Sequence, residues 1–235
     1  MIRDIFENHG ITITEEQEQK LNQYYDLLID WNNKINLTSI VEYEEVIWKH
    51  FLDSAFFVSC DKVDLKEKKK VLDLGTGAGF PGMVLAILCP DYEFVLADSL
   101  NKRIEFLKVV IDRLQIHNVS LIHGRAEELG RDENFRNQFD YVVSRAVAEL
   151  PVLLEYCIPF VKKGGYFVSY KSRRLDEEIE NADNALNMLY TKYEKKYKYE
   201  LEYDHSERYL VFFRCENITD SKYPRKPKKI KTNPL

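Results

Sequence analysis

The chain has 235 residues, of which 45% are hydrophobic and 31% charged, and its formal net charge at pH 7 is −5. This length suits one α/β domain with an appendage, and no run of about 18 apolar residues predicts a membrane span. The acidic N-terminus is atypical of a signal peptide, and the four cysteines form no Cys-x-x-Cys pair. Composition therefore excludes a disulfide scaffold and a cysteine metal site. We expect a cytoplasmic monomer without a metal.

The first 61 residues are predicted to form a helical N-terminal cap. Apolar residues recur at helical spacing over 15–29, with Thr14 as a plausible N-cap, and again over 44–58. The segment between them, WNNKINLT at 31–38, is polar and favours turns. A charged run at 62–70 then separates the cap from a second domain.

Strand-like and helical segments alternate from residue 70 onward, which is typical of a parallel sheet. We predict strands at 70–74, 93–98, 119–123, 141–145 and 165–170, and helices at 81–87, 100–114, 126–129 and 150–162. A long amphipathic helix at 176–193 and two strands at 197–203 and 208–215 follow. Residues 62–220 are therefore predicted to form a doubly wound, mostly parallel α/β sheet that ends in an antiparallel hairpin.

A glycine-rich turn follows the first predicted strand, in the segment VLDLGTGAGFPG at 71–82. Gly75, Gly77 and Gly79 stand at every second position, where they allow a tight turn and the close approach of a ligand. Asp73 precedes them, and an acid before alternating glycines is typical of S-adenosylmethionine (SAM) methyltransferases. The same letters also satisfy the dinucleotide fingerprint, so a nicotinamide or flavin cofactor and a ligand-free turn remain alternatives.

Two carboxylates bear on this choice of ligand. Asp98, followed by Ser99, ends the second strand and is expected to bind ribose hydroxyls, which SAM and NAD share. Asp73 favours SAM, because a carboxylate would repel a pyrophosphate but attract a sulfonium and an ammonium group.

The ends of the third and fourth strands supply further candidates. Arg125, Ala126 and Glu127 follow the third strand, where Glu127 either reads the adenine amino group or is an ordinary acid of a first helical turn. Arg145 ends the fourth strand beside the predicted methyl donor, and we expect it to act in catalysis by positioning. A general base or nucleophilic cysteine is not evident at these strand ends. Guanine N7 needs neither, although a small-molecule amine or hydroxyl remains possible.

Charge is distributed unevenly along the chain. All 39 acidic residues lie in 1–220, whereas residues 221–235 carry six basic residues and no acid. This basic C-terminal tail is expected to contact a polyanion. The alternative is a solvated, disordered terminus without a partner.

Six segments occur in a recognisable order: WNNKINLT (31–38), HFLDS (50–54), DLGTGAGFPG (73–82), GRAE (124–127), SRAVA (144–148) and YPRK (223–226). Together they resemble the RsmG (GidB) family of bacterial 16S ribosomal RNA guanine-N7 methyltransferases. The resemblance implies a class I SAM-methyltransferase fold of the Rossmann-like type. It also implies methyl transfer from SAM to one guanine N7 in the 16S ribosomal RNA of the small subunit.

The resemblance carries specific residues with it. It implies SAM contacts at Gly75, Phe80, Ala126, Glu127 and Arg145. Five basic residues are candidates for contact with the RNA substrate: Arg125, Lys171, Arg208, Arg225 and Lys226. Lys228 stands where the family's tail usually has glycine. Two other hypotheses remain: a small-molecule SAM methyltransferase, and a non-catalytic RNA-binding or ribosome-assembly protein that keeps SAM as a structural ligand.

Overall fold

The computed structural model describes residues 1–145, 148–172 and 175–235, so Ala146 and Val147 of the motif at 144–148 lie outside the described residues. The described strands form a seven-stranded sheet in the order β3-β2-β1-β4-β5-β7-β6. They are β1 (Lys70–Leu74), β2 (Glu93–Asp98), β3 (Val119–His123), β4 (Phe139–Arg145), β5 (Val161–Lys171), β6 (Thr191–Leu201) and β7 (Ser206–Cys215).

The first five strands run parallel, and β7 lies antiparallel between β5 and β6. The predicted α/β class, with its terminal hairpin, is therefore confirmed. Strand order reverses between β1 and β4, and the glycine turn directly follows β1. Ligands of open α/β sheets bind at such a point, beyond the carboxyl ends of the strands.

Helices cover both faces of this sheet. In chain order they are α1 (Ile2–Asn8), α2 (Glu15–Asn32), α3 (Tyr43–Val46), α4 (Asp53–Ala55), α5 (Gly82–Leu88), α6 (Asn101–Leu114), α7 (Ala126–Leu129), α8 (Leu150–Cys157), α9 (Leu175–Glu180), α10 (Asp183–Met188) and α11 (Pro227–Thr232). The Thr14 side chain caps α2 by accepting the Gln17 N–H at 3.2 Å, as predicted.

Alternation along the strands produces two cores. Val143 and Phe212 face the side on which the N-terminal helices, α5 and α6 pack. Their neighbours Val142 and Phe213 face the other side, with α8 and the C-terminal Ile230. There are two cores because side chains of successive strand residues point to opposite faces of the sheet. The helical cap packs into the first of these cores.

The predicted helix at 176–193 is wrong. The structure has the two short helices α9 and α10, and Tyr190 then adopts a left-handed conformation with φ 52°, which ends the helical path. β6 begins directly afterwards, with Thr191 opposite Cys215 of β7. Pairing with β7 overrides the local helical pattern, so the strand predicted at 197–203 also starts earlier and ends at Leu201.

Two other predicted helices differ in detail. The segment predicted at 44–58 is helical but not uniform, since a π-helix (Ile47–Leu52) joins α3 to α4 and a 3₁₀ turn (Phe56–Ser59) follows. The helix predicted at 150–162 ends at Cys157 because Pro159 follows, and the chain continues as β5 from Val161. None of the described helices is long and apolar enough to cross a membrane.

The C-terminal segment, residues 221–235, packs against the sheet domain rather than extending into solvent. Tyr223 and Ile230 are buried in the core that contains α8, and Ile230 is the buried residue of α11. The segment therefore belongs to the folded body despite its charge.

Candidate functional site

Two adjoining cavities open at the carboxyl ends of the central strands. The larger has a volume of about 770 Å³ and lies between the cap and the glycine turn. The smaller, of about 400 Å³, lies beside the ends of β2 and β3. Gly75, Asp98 and Ser99 line both, so one elongated ligand could extend through the two.

The glycine turn faces the cap on one side and the larger cavity on the other. Gly79, at φ 97°, packs so closely on Tyr24 and Leu107 that a Cβ there would overlap the Tyr24 hydroxyl. Gly77, at φ 62°, lines the larger cavity, and a Cβ there would meet nothing within 4 Å. This turn therefore presents open backbone to a ligand, which is the use of glycine that the sequence predicted.

Asp73 lies behind the turn, fully buried. Its Oδ2 accepts hydrogen bonds from Thr76 Oγ1 at 2.6 Å and from the Gly82 N–H at 2.7 Å, whereas Oδ1 has no partner among the described residues. Burial raises the pKa of Asp73 to about 6, although the bonds from Thr76 and Gly82 oppose this. In this structure the carboxylate fastens the turn to the start of α5.

Asp98 accepts the Gly77 N–H at 2.9 Å, the Leu100 N–H at 2.9 Å and Arg103 Nη1 at 3.1 Å. The N–H groups of Gly77 and Gly82 are thus both taken by carboxylates. A dinucleotide fold uses such N–H groups to bind a pyrophosphate, so this donor set fits a dinucleotide poorly. SAM has no phosphate and carries two positive charges, and the acid-lined turn fits it.

Arg145 is held in a fixed position at the end of β4. Its Nη1 donates to Asp53 Oδ2 at 2.7 Å and to the Lys49 carbonyl at 3.1 Å, and its guanidinium lies over the Phe80 ring at 5.4 Å. The other oxygen of Asp53 accepts the Tyr199 hydroxyl at 2.8 Å. Asp53, buried in the cap, thereby links the cap to β4 and β6.

His50 lies beside this ion pair, stacked on Phe80 with ring centroids 4.5 Å apart. Its Nδ1 is 3.3 Å from Arg145 Nη2, and its Nε2 is 2.9 Å from Thr38 Oγ1. Burial, followed by the Arg145 charge, lowers the pKa of His50 to about 3. Nδ1 also lies 3.1 Å from the Lys49 carbonyl, so both ring nitrogens have polar partners.

The remaining predicted residues divide between the two cavities and the C-terminal segment. Lys171 and Arg208 line the larger cavity, where Lys171 pairs with Glu178 at 2.5 Å. Arg125, Ala126 and Glu127 line the smaller one. Arg225 forms an ion pair with buried Glu155 at 2.6 Å, and Lys226 is exposed just before α11.

Several lining residues were not predicted from the sequence. Thr38, Lys49 and Arg103 line the larger cavity, and Pro227, Lys231 and Pro234 line the smaller one. The six basic residues of the C-terminal segment favoured a solvent-exposed tail. They gave no indication that Tyr223 and Ile230 pack this segment against the core. Among residues 1–145, 148–172 and 175–235, no group of three His, Cys, Asp or Glu side chains could hold a metal ion.

Comparison with known proteins gives this site a context. Residues 17–205 match the model of the GidB family, described as rRNA small subunit methyltransferase G. Ribosomal RNA small subunit methyltransferase G of Lachnoclostridium phytofermentans is 50% identical over 92% of this chain and 88% of its own length. The protein of the same name from Alkaliphilus metalliredigens is 46% identical, over 97% of this chain and 94% of its own.

A solved structure shares the fold at low identity. The crystal structure of Aeropyrum pernix fibrillarin with natively bound S-adenosyl-L-methionine is 16% identical and has a TM-score of 0.54. The match covers 71% of this chain and 75% of that one, so it bears on the fold of the sheet domain. The family match spans most of the chain, including residues 17–61 of the cap, the glycine turn and Arg145. This chain therefore belongs to the GidB family of small-subunit ribosomal RNA methyltransferases.

Proposed function

We propose that this chain transfers a methyl group from SAM to N7 of one guanine in the 16S ribosomal RNA of the small subunit. Family membership supports the enzyme class, the cofactor and the ribosomal substrate. The observation that carries the choice of atom is the fixed Arg145–Asp53 pair beside the glycine turn. It offers a neutralised cation next to the methyl donor, and the carboxylate of the pair is occupied by the arginine.

The two cavities suit the two ends of the cofactor. The smaller one, with Ala126 and Glu127, would hold the adenine, and the glycine turn with Gly75 and Phe80 would hold the methionine part. Asp98 would bind the ribose hydroxyls in competition with Arg103, which now occupies the same carboxylate. When bound, SAM supplies an electrophilic methyl group.

The polar groups around the larger cavity are engaged with one another. Asp53 is paired with Arg145 and Glu178 with Lys171, and the pKa of about 3 makes His50 a weak proton acceptor. An amine or hydroxyl substrate would need one of them free as a proton acceptor. Guanine N7 carries an exposed lone pair, so positioning alone suffices for its methylation.

The same arrangement tolerates the product. Methylation at N7 leaves the guanine positively charged, which an unpaired arginine would oppose. Asp53 neutralises Arg145, so this arginine would not repel the cationic guanine. The Arg145 guanidinium could also donate to guanine O6 while N7 stays free.

The RNA would approach over the rim of the larger cavity. Lys171 and Arg208 line this cavity, Arg125 lines the smaller one, and Lys226 is exposed in the C-terminal segment. Such contacts strengthen salt-dependent, sequence-independent affinity for phosphates. We further propose that the chain acts as a cytoplasmic monomer, with the cap (1–61), the core (62–220) and the tail (221–235) as its functional parts.

Methyl transfer to RNA tests the proposal. Radiolabelled SAM is incubated with the protein and with unmethylated small subunits or free 16S RNA, and the labelled nucleoside is identified by mass spectrometry. We expect 7-methylguanosine, strongly reduced in Arg145→Lys, which keeps the charge but loses the planar fork. The control Lys108→Ala changes an exposed lysine of α6 and should leave the rate unchanged. Label in another nucleoside, or none in RNA despite SAM binding, would refute the proposal.

A further inference from the structure

The C-terminal segment forms one wall of the smaller cavity. Pro227, Lys231 and Pro234 line it together with Glu127 of α7 and Tyr156 of α8. These elements come from three separate parts of the chain. A basic tail that served only to touch RNA would have no reason to lie against this cavity.

Buried ionic contacts hold the segment in this place. Arg225 donates to both oxygens of Glu155, from Nε at 2.8 Å and from Nη2 at 2.6 Å, and its backbone N–H also donates to Glu155 Oε1 at 2.8 Å. Glu155 is fully buried on α8, next to Tyr156 of the cavity wall. Arg225 Nη2 also donates to the Asn233 carbonyl at 3.1 Å, which draws the chain end back towards the cavity.

Two arginines of the sheet domain clamp the beginning of the segment. Arg136 donates to the carbonyls of Tyr223 at 2.7 Å and Thr219 at 2.6 Å. Arg131 donates to the Pro224 carbonyl at 2.7 Å. Hydrogen bonds to charged donors are stronger than neutral ones, so this set fixes the path of the backbone into α11.

The lining of the smaller cavity identifies the kind of group it would take. Its apolar side chains include Leu74, Val152, Tyr156 and the two prolines, and its charged ones include Glu127 and Lys231. Flat apolar walls with a few polar groups suit a purine. The cavity shares Gly75, Asp98 and Ser99 with the larger one, so the purine would belong to the same ligand that extends along the glycine turn.

We propose that residues 223–234 are part of the cofactor site and close the adenosine end of the SAM cavity. The inference rests on the proposed function, because it takes SAM as the occupant. The segment then sets the affinity for SAM even when RNA is absent. All three lysines of α11 are exposed, but only Lys231 lines the cavity, whereas Lys228 and Lys229 do not.

Calorimetric titration of the full-length protein with SAM, without RNA, tests this inference. Lys231→Ala and Lys228→Ala remove the same charge from the same helix. We expect Lys231→Ala to weaken SAM binding about three- to tenfold and Lys228→Ala to leave it within about twofold. Arg225→Ala releases the segment and should weaken binding at least about tenfold.

Thermal unfolding of each variant separates loss of the site from loss of the fold. If Arg225→Ala does not fold, the lysine pair still decides the matter, because both lysines are exposed. Unchanged SAM affinity in Lys231→Ala and in folded Arg225→Ala would overturn the inference. So would an equal loss of RNA affinity in both lysine variants with SAM binding intact, which is the behaviour of a simple RNA arm. Absence of SAM binding by the unaltered chain would instead refute the proposed function.

Discussion

His50 lies flat on Phe80 beside the positive charge of Arg145, and its environment keeps it neutral. The unfolded chain takes up a proton on this histidine below pH 6.5, whereas the folded chain does so only near pH 3. Protonation therefore favours the unfolded state as the pH falls below 6.5. We expect this one group to remove about 1.4 kcal/mol of stability per pH unit, or about 2 kcal/mol by pH 5.

Urea unfolding of the unaltered chain and of His50→Gln between pH 7.5 and 5 measures this effect. Asp73 acts in the opposite direction, because its raised pKa stabilises the fold as the pH falls from about 6 towards 3.8. The difference between the two proteins cancels that contribution. As the pH falls, the free energy of unfolding of the unaltered chain should decrease relative to that of His50→Gln. A difference that does not change with pH would contradict a neutral, buried His50.

Arg145 and Asp53 are predicted to be energetically coupled. Both side chains are largely buried and their closest atoms are 2.7 Å apart, so removing either partner leaves a buried charge without its main counterion. We expect Arg145→Ala and Asp53→Asn each to destabilise the fold by about 3–5 kcal/mol. The double variant should lose at least about 1 kcal/mol less than the sum.

A double-mutant cycle by urea denaturation measures the coupling. The matched control is the exposed pair Glu105–Lys108 of α6, at 2.7 Å, for which we expect a coupling of less than about 0.5 kcal/mol. If the stability losses of the Arg145 and Asp53 variants simply added up, as expected for this control, Asp53 of the cap would not hold Arg145 in place.

At the scale of single residues, the sequence predicted where site residues lie better than it predicted their hydrogen-bond partners. Asp73 and Asp98 were singled out from their place before and after the glycine turn, and both lie there. Their hydrogen bonds to Thr76, Gly77 and Gly82 depend on how the turn folds back on the strand ends. That geometry is not encoded in spacing, so the predicted contacts of these acids with SAM stay predictions.

At the scale of elements, the glycine turn needs a left-handed backbone at two positions and a missing side chain at one of them. Substitution of Gly77 and of Gly79 tests these two requirements separately. Alanine at Gly77 or Gly79 meets the same left-handed backbone penalty of about 1–2 kcal/mol. Only Gly79 also meets a crowded wall, formed by Tyr24 of α2 and by Leu107 of α6 at 2.8 Å. We expect Gly79→Ala to lose at least about 2 kcal/mol more stability than Gly77→Ala.

SAM titration completes the comparison of these two variants. Gly77→Ala should fold but bind SAM more weakly, because its methyl group enters the larger cavity. Equal stability of the two variants would contradict the close packing of the cap on the turn. Normal SAM binding by Gly77→Ala would contradict the placing of the cofactor along it.

The strands were more predictable than the helices. β1, β2 and β3 have the predicted bounds, because short apolar runs between turn residues leave little choice of register. The helix predicted at 176–193 is divided into α9 and α10, and its last three residues, 191–193, pair instead with β7, which is distant in the sequence. The π-helix at Ile47–Leu52 had no signal in its apolar spacing, yet it carries His50 into the site.

At the scale of the whole molecule, the cap, the sheet and the C-terminal segment converge on one edge. The cap supplies His50 and Asp53, the sheet supplies the glycine turn and Arg145, and the C-terminal segment closes the smaller cavity. The alternation of strand-like and helical segments predicted the α/β core, the distribution of charge predicted the basic tail, and the family resemblance is confirmed. Docking of the tail was not predicted, since it depends on Glu155, a buried acid that charge counting cannot distinguish from an exposed one.

The measurement that tests the central claim most directly is the number and position of methyl groups per ribosomal RNA. Unmethylated small subunits are incubated with excess SAM and protein until incorporation stops, and the 16S RNA is then mapped for 7-methylguanosine. We predict a plateau of one methyl group per RNA, all of it as 7-methylguanosine at a single position. Modification at several positions, at another atom, or of no RNA by a protein that binds SAM would contradict the account.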